Sequence, residues 1–535
     1  MRWAIRPAAP GRLAEGLVRI STSRVAVASA LTGLCLGAAA QAAPALPAGL
    51  SAYVHRAMTL WKVPGLAVGI VQGGKVILAR GYGVRELGKK ARVDADTLFS
   101  IGSNTKAFTA ASLGLLVAQH RLRWNDRIIR YVPQFRLGSA YVTQETTLRD
   151  LLSHRTGYCD PTSMWYMADD TARSVIERLR YQKARYGFRA HFCYNNTMYL
   201  VAAQIIPRLS GMSWNRFVTK YLLTPLQMTR TVTSEAALKG VTDVAAPHGE
   251  VGGKVRVIRR YWKHNMDVFA PVGAINSSVA DLNRWLLMLL AGGRYDGRTI
   301  VPAAVLRAME TPQEPIQRDT DVGQLLRALT PKGRFFSYGL GFILEEYGGH
   351  KLIWHAGNID GMSAALAVLP AEHVGVVVLS NMDNNWAPEG VMFHILQTYL
   401  GIAHDDVSRR MYVLTRKERA KAKAEARKLA ATRVRGAKPP LPLAAYVGRY
   451  SDRFYGTARV SERAGHLVLK MGDPMFTGDL QPWHDETFRV RWRYRFYGKA
   501  YVTFGVGARG EPSELRFAQI RNHYERVARR GGAPR

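Results

Sequence analysis

The sequence predicts a mixed α/β (α+β) protein: one antiparallel sheet flanked by helices, with a helical lobe inserted, followed by a small all-β barrel-like domain. Three observations predict it. Strand-like runs at 64–84 and again at 352–379 bracket a middle, 103–310, in which helical periodicity dominates. Strands supplied from both ends of a segment, with helices between them, pack most economically as one sheet under a helical layer. Beyond Pro442 the pattern changes to short strands and turns, the rhythm of a small barrel or sandwich. At 535 residues the chain exceeds what a single small core organises.

Taken in order, the first segment reads as an export signal. Arg2, Arg6, Arg12, Arg19 and Arg24 precede an apolar stretch from Val25 to Ala39, and Ala40-Gln41-Ala42 gives an A-x-A cleavage pattern. Residues 1–42 are therefore expected to be a signal peptide, and the mature chain to be periplasmic or secreted after cleavage near Ala42. The apolar stretch is short and Ala-rich, and no later run is long enough to span a bilayer, so no transmembrane span is expected in the mature chain, an uncleaved anchor being the alternative. Cleavage removes Cys35 and leaves Cys159 and Cys193, which form one disulfide or remain two buried thiols. The absence of C-x-x-C argues against a redox or structural zinc site, and neither metal nor cofactor is expected.

A core domain is placed at 43–405. It opens with two strands around Gly73-Gly74. Helices are predicted at 105–119, 147–153, 196–209 and 278–290, and strands at 352–354, 363–369 and 374–379. A basic helical linker is placed at 406–441. From Arg409 to Lys438 its many Lys and Arg residues face only Glu418 and Glu425, and Pro439-Pro440 is expected to end it. It reads as a solvated connector or as an arm for an anionic polymer. In the barrel, 442–535, strands are expected at 446–450, 458–461, 467–471, 488–492, 501–504 and 515–520. Gly505-Val506-Gly507-Ala508-Arg509-Gly510 matches G-x-G-x-x-G, but no βαβ unit surrounds it, so it reads as a hairpin turn.

The formal charge of +35, from 75 Lys and Arg against 40 Asp and Glu, points to a polyanionic surrounding such as an anionic cell-envelope polymer. Solubility in acid, or an Arg-rich coding bias, would produce the same balance. Zinc-finger spacing and RNP-like aromatic motifs are missing, so no nucleic-acid partner is expected.

Three short motifs carry chemistry. Ser103-Asn104-Thr105-Lys106 is an S-x-x-K at the mouth of an apolar helix. Residues three apart share a helix face, so the Lys106 amine can reach the Ser103 hydroxyl. A lysine desolvated by apolar neighbours can take that proton, and the helix start offers free N–H groups to an oxyanion. Tyr194-Asn195-Asn196 is a Y-x-N. A phenol beside a cationic lysine is lowered in pKa and can act as a base, and an Asn amide can hold both an amine and a substrate amide. A core Tyr with a helix-capping Asn gives the same letters. His355-Ala356-Gly357 follows a strand, where small residues leave room for a substrate against the backbone. A strand-end His with a turn Gly is the plainer reading.

Together, in this order and at these spacings, the motifs resemble those of the serine β-lactamase and penicillin-binding superfamily, closest to its class C-like branch of D-stereospecific peptidases and esterases. Val63-Pro64-Gly65-Leu66-Ala67-Val68, Leu151-Leu152-Ser153-His154-Arg155-Thr156-Gly157, Pro271 to Ser278 and Tyr338-Gly339-Leu340-Gly341-Phe342 resemble further segments of it. The resemblance implies roles. Ser103 is the acylated nucleophile, Lys106 and Tyr194 share base and proton-shuttle work, and Asn196 orients Lys106 and the substrate. The backbone N–H groups of Ser103 and Asn358 form the oxyanion hole, beside Gly357. His355 stands where β-lactamases commonly carry the Lys of K-T-G, which lowers the expectation of antibiotic hydrolysis. His154 is given a structural role, and a Cys159–Cys193 bridge would brace its loop against Tyr194. Residues 443–535 resemble the lipocalin-like barrel often appended to this branch, where it would cover the cleft. The expected activity is acyl-enzyme hydrolysis of an amide or ester in a small peptide or ester, most readily a peptide with D-amino acid character. A small-ester esterase, a β-lactamase and a non-catalytic envelope-binding protein are the alternatives.

Overall fold

The computed structural model describes residues 46–160, 171–258, 265–518 and 524–527. The signal-peptide reading of 1–42, with Cys35, lies outside the described residues.

The main sheet has eight strands, all antiparallel to their neighbours. Their order is Lys75–Gly83, Gly65–Gln72, Val374–Ser380, Met362–Leu369, His350–Ile359, Ile343–Tyr347, Arg334–Tyr338 and Glu314–Pro315. The first hairpin thus pairs with strands some three hundred residues later, as the bracketing pattern predicts. Helices cover both faces, which is why Met362–Leu369 is buried along its whole length rather than alternating. On one face, Val68, Trp354 and Val376 pack with helices Leu50–Trp61 and Ala387–Tyr399. On the other, Ala67, Leu366 and Val377 share a core with helix Val279–Leu290.

One feature of the register opens the sheet. Ile343–Tyr347 pairs with His350–Ile359 only up to Ile343↔Trp354. From His355 to Ile359 the strand is paired on one side, by Met362–Leu369, and its other edge has no ladder partner among the described residues.

The helical lobe is built around Thr105–Ala118. This helix is apolar nearly all round, and Thr105 through Gly114 are buried, as such a helix requires. Thr109 donates to the Pro271 carbonyl at 2.6 Å and accepts from the Trp214 indole at 3.0 Å. The predicted 147–153 helix is Leu148–Leu152, closed by a capping box between Thr147 and Asp150. The 278–290 helix is Val279–Leu290, capped by Ser278. The 196–209 helix is two, Asn196–Ala203 and Ile205–Ser210. Pro207 falls in the first turn of the second, where its missing N–H is tolerated.

The C-terminal strands close into an eight-stranded barrel: Gly448–Asp452, Gly456–Arg463, His466–Met471, Thr477–His484, Thr487–Trp492, Lys499–Val506, Pro512–Phe517 and Tyr524–Arg526. The sequence pattern misses two of these. Thr477–His484 carries Gly478, Asp479, Gln481 and Pro482, and its register shifts beside Pro482. Tyr524–Arg526 is three residues long and closes the barrel against its first strand. The G-x-G-x-x-G lies in the hairpin between Lys499–Val506 and Pro512–Phe517.

The basic segment is a helix, Val407–Ala431. Its start is anchored. Val407, Ser408 and Met411 are buried, Trp61 donates its indole N–H to Ser408 Oγ at 3.0 Å, and Arg410 donates to the carbonyls of Ala328 and Leu329. Most of the rest is exposed. Pro439-Pro440 does not end this helix, contrary to expectation. It stops at Ala431, and the Val434 N–H then bonds the Trp483 carbonyl of the barrel at 3.0 Å.

Cys159 and Cys193 are joined in a disulfide, 34 residues apart in sequence. The bridge ties the loop after Gly157 to the residue before Tyr194. Closing a loop of this size removes unfolded-chain entropy worth about 4 kcal/mol at room temperature. Replacing both cysteines by Ser is expected to lower the unfolding free energy by about 3–4 kcal/mol, read as a lower urea midpoint. An unchanged midpoint would contradict this.

Candidate active site

The turn that carries Ser103 is pinned between two layers. Phe99–Ser100 pairs with Asn276–Ser277. The chain then makes one tight turn, Gly102–Asn104, and enters the helix Thr105–Ala118. Gly102 has φ +52°, and a Cβ there would sit 2.9 Å from the Asn358 nitrogen and 3.2 Å from the Gly357 Cα. Only a glycine lets the turn lie this close to the open strand.

Lys106 Nζ lies 2.9 Å from Ser103 Oγ and donates to the Val272 carbonyl at 3.1 Å. Its side chain is fully buried, with Nζ 5.0 Å from the Tyr194 ring centroid and 5.6 Å from that of Tyr199. Burial pulls the amine down to about 7, against the opposing pull of the Asp160 carboxylate. Near neutral pH the amine is therefore poised to accept a proton.

Tyr194 donates its hydroxyl to Ser103 Oγ at 2.8 Å, so the Ser103 hydroxyl is held from two sides. The expected lowering of Tyr194 by a cationic lysine does not occur. Burial raises its pKa, and the hydrogen bond to Ser103 offsets this only in part. Tyr194 is a neutral phenol whose proton lies in the hydrogen bond to Ser103.

Asn196 departs from expectation as well. Its backbone N–H and its amide both bond the Asp160 carboxylate, at 3.0 and 3.2 Å. It holds the carboxylate whose charge acts on Lys106. The helix-capping Asn is its neighbour: Asn195 Oδ1 accepts from the Thr197 N–H at 2.9 Å. Asp160 is a site residue that sequence reasoning missed; no motif flags it, because it comes from a loop and acts through its charge.

His355 is buried. Its Nδ1 lies 2.6 Å from the Ala356 carbonyl, to which it donates, and Nε2 lies 2.9 Å from the Tyr338 hydroxyl, from which it accepts. Burial, with the Lys106 charge adding to it, pulls the imidazole to about 3, so it is neutral. Tyr338 is a second missed residue, although its Tyr-Gly-Leu-Gly-Phe segment stood out in the sequence. Gly357 does not make room for substrate as expected. A Cβ there would collide with the Ile101 carbonyl and the Asn104 amide, so the space belongs to the nucleophile turn. Asn358 is exposed, and its amide donates to Asn384 Oδ1 at 3.2 Å.

His154 packs its ring 4.4 Å from Tyr194 and 4.8 Å from Tyr338, centroid to centroid, and accepts the Asn195 N–H on Nδ1. Burial keeps it neutral, in keeping with a supporting role.

These groups open on a cavity of about 750 Å³ lined by Ser103, Tyr194, Asn196, His355 and Asn358. Apolar side chains, among them Leu326, Leu329, Trp354 and Trp386, form much of its wall. The basic helix contributes Thr415 and Arg419, so it is more than a solvated connector. The barrel instead reaches the turn after the open strand, where Tyr497 donates to Asp360 at 3.1 Å. Among the described residues no cluster of His, Cys, Asp or Glu could hold a metal ion.

Comparison with known proteins gives a consistent pattern. The Beta-lactamase family model matches residues 50–395, and a domain of unknown function, DUF3471, matches residues 432–529. Unguisins hydrolase ungD of Aspergillus violaceofuscus is 29% identical over 66% of this chain, which spans 65% of that protein's length. The octameric penicillin-binding protein homologue from Pyrococcus abyssi shares the fold, with a TM-score of 0.56 at 21% identity over 89% of this chain and 98% of that one. A D-stereospecific amidohydrolase from Streptomyces sp. shares it with a TM-score of 0.51 at 20% identity, over 66% of this chain and 99% of that one.

The pH dependence follows from Lys106. Its amine loses its proton as pH rises through about 7 rather than 10.5, and only the neutral amine can take the Ser103 proton. Fluorophosphonate labelling of Ser103 is expected to fall about tenfold per pH unit below that pKa and to level off above it. A rate still climbing at the ordinary lysine value of 10.5 would contradict this.

Proposed function

The chain belongs to the Beta-lactamase family, and from that premise we propose that it is an exported serine hydrolase that cleaves an amide or ester bond through an acyl-enzyme. The observation that carries this reading is the buried, proton-poor Lys106 amine 2.9 Å from a Ser103 hydroxyl that also accepts from Tyr194. Lys106 takes the Ser103 proton as Oγ attacks the carbonyl carbon. The backbone N–H groups of Ser103 and Asn358 receive the oxyanion, in the place where the Gly102 turn meets the open strand. Tyr194 passes its proton to the departing amine or alkoxide and is reprotonated from Lys106. Water then attacks the ester, giving up its proton along the same path, and Ser103 is restored.

The substrate class is a small peptide, most readily one with D-amino acid character. The open edge beyond Trp354 offers unpaired backbone groups along which a short peptide can lie as an added strand. His355 is neutral and bonded to Tyr338, so it offers no fixed cation for a β-lactam carboxylate. The apolar wall around Leu326, Leu329 and Trp354 favours a small-ester esterase as the second reading. The disulfide supports export to an oxidising compartment. The same reading gives the exposed basic turns of helix Val407–Ala431 an anionic cell-envelope polymer as their counter-surface.

Fluorophosphonate labelling tests the reaction class. The wild type is expected to label stoichiometrically, and Ser103→Ala not at all. Labelling that is equal in the two proteins would remove the serine-hydrolase reading. On a labelled-competent enzyme, kcat/KM for D-amino acid amides is expected to exceed that for a chromogenic cephalosporin.

A further inference from the structure

Glu389 has no part in the chemistry above, yet it lines the same cavity as Ser103. It sits in the first turn of helix Ala387–Tyr399 and is only 4% exposed. Its Oε2 is buried without a hydrogen-bond partner. A buried acid oxygen with nothing to bond is costly, and a native fold retains one where a ligand or function compensates for it. Leu326, Leu329, Trp354 and Trp386 offer apolar contact in the same cavity, and Asn385, which also lines it, is already bonded to the Met382 carbonyl and the Ala387 N–H. Arg419, the cation that lines the cavity, is engaged by Glu250 at 3.2 Å.

We propose that Glu389 is a specificity residue that receives a primary ammonium group of the substrate, carried on a short aliphatic stem that packs against the apolar wall. This rests on reading the cavity as the substrate site. The pairing is chemically apt. An ammonium brings three donors to a carboxylate that lacks one, and the exchange occurs out of water, where charge-assisted hydrogen bonds are strong. The position in the first helical turn also favours the anionic form. Burial raises Glu389 to about 8, and a cation bound beside it would draw the acid into its charged form. Two sources share this chemistry: the α-amine of a peptide's first residue, and a side-chain amine.

Binding is measured by calorimetry on Ser103→Ala protein, so that the readout does not depend on turnover. The probes are D-alaninamide for the α-amine and mono-N-acetylcadaverine for the side-chain amine, each beside its fully acetylated, neutral counterpart. At least one amine is expected to bind about 10- to 100-fold more tightly than its neutral counterpart, and whichever does so identifies the source. Adding Glu389→Gln, which keeps the side chain's size, is expected to erase that preference. The proposal is overturned if neither amine is preferred, or if the preference survives Glu389→Gln in a protein whose circular dichroism and melting match the parent. Failure of the serine-hydrolase reading shows separately, as absent labelling of wild-type Ser103.

Discussion

A lysine amine kept dry against a serine hydroxyl is the constraint around which this protein is organised. Water would return Lys106 to a permanent cation, unable to take a proton. The fold therefore buries it completely, under Tyr194 and Tyr199 and against the Val272 carbonyl, and leaves Ser103 at the cavity surface. That burial costs free energy, and the Asp160 carboxylate returns part of it by favouring the charged form. The balance holds the amine near neutrality instead of fixing it as base or acid. Because Tyr194 is raised rather than lowered, the proposed base and relay roles fall to different groups, Lys106 to receive the proton and Tyr194 to deliver it.

The sheet serves this arrangement through close backbone approach. Gly102 and Gly357 face each other where the nucleophile turn crosses the strand His350–Ile359, and Gly341 does the same against Ala107, where a Cβ would sit 2.9 Å from the Ala107 Cα. Side chains at these places would push Ser103 away from the strand that carries Asn358. Ile343–Tyr347 stops pairing at Trp354, so the edge next to the nucleophile stays open. A ladder that extended further would fill the place proposed for the substrate.

The parts of this design that depend on local chemistry were legible in the sequence. The i, i+3 spacing of Ser103 and Lys106, the Tyr194 and His355 motifs, the bracketing strands and the closing barrel rhythm each follow from short-range pattern. What the sequence did not reveal comes from long-range placement. Asp160 acts by charge from a loop, and Asn196 turned out to hold that loop instead of the lysine. Glu389 is far from every motif and joins the cavity only because its helix packs on strands Met362–Leu369 and Val374–Ser380. The direction of the Tyr194 shift was misread because burial, invisible in a motif, outweighs the neighbouring amine. Thr477–His484 was missed because Pro482 and polar residues hide a barrel strand that tertiary pairing enforces.

The account turns on the protonation of one amine, and that can be observed directly. A pH titration of the Lys106 side chain by 13C and 15N NMR on lysine-labelled protein, assigned with Lys106→Arg, is predicted to show its amine titrating at about 7. A Lys106 that stays protonated until the ordinary value of 10.5 would contradict the account, because the buried pair would then hold a cation where the chemistry needs a base.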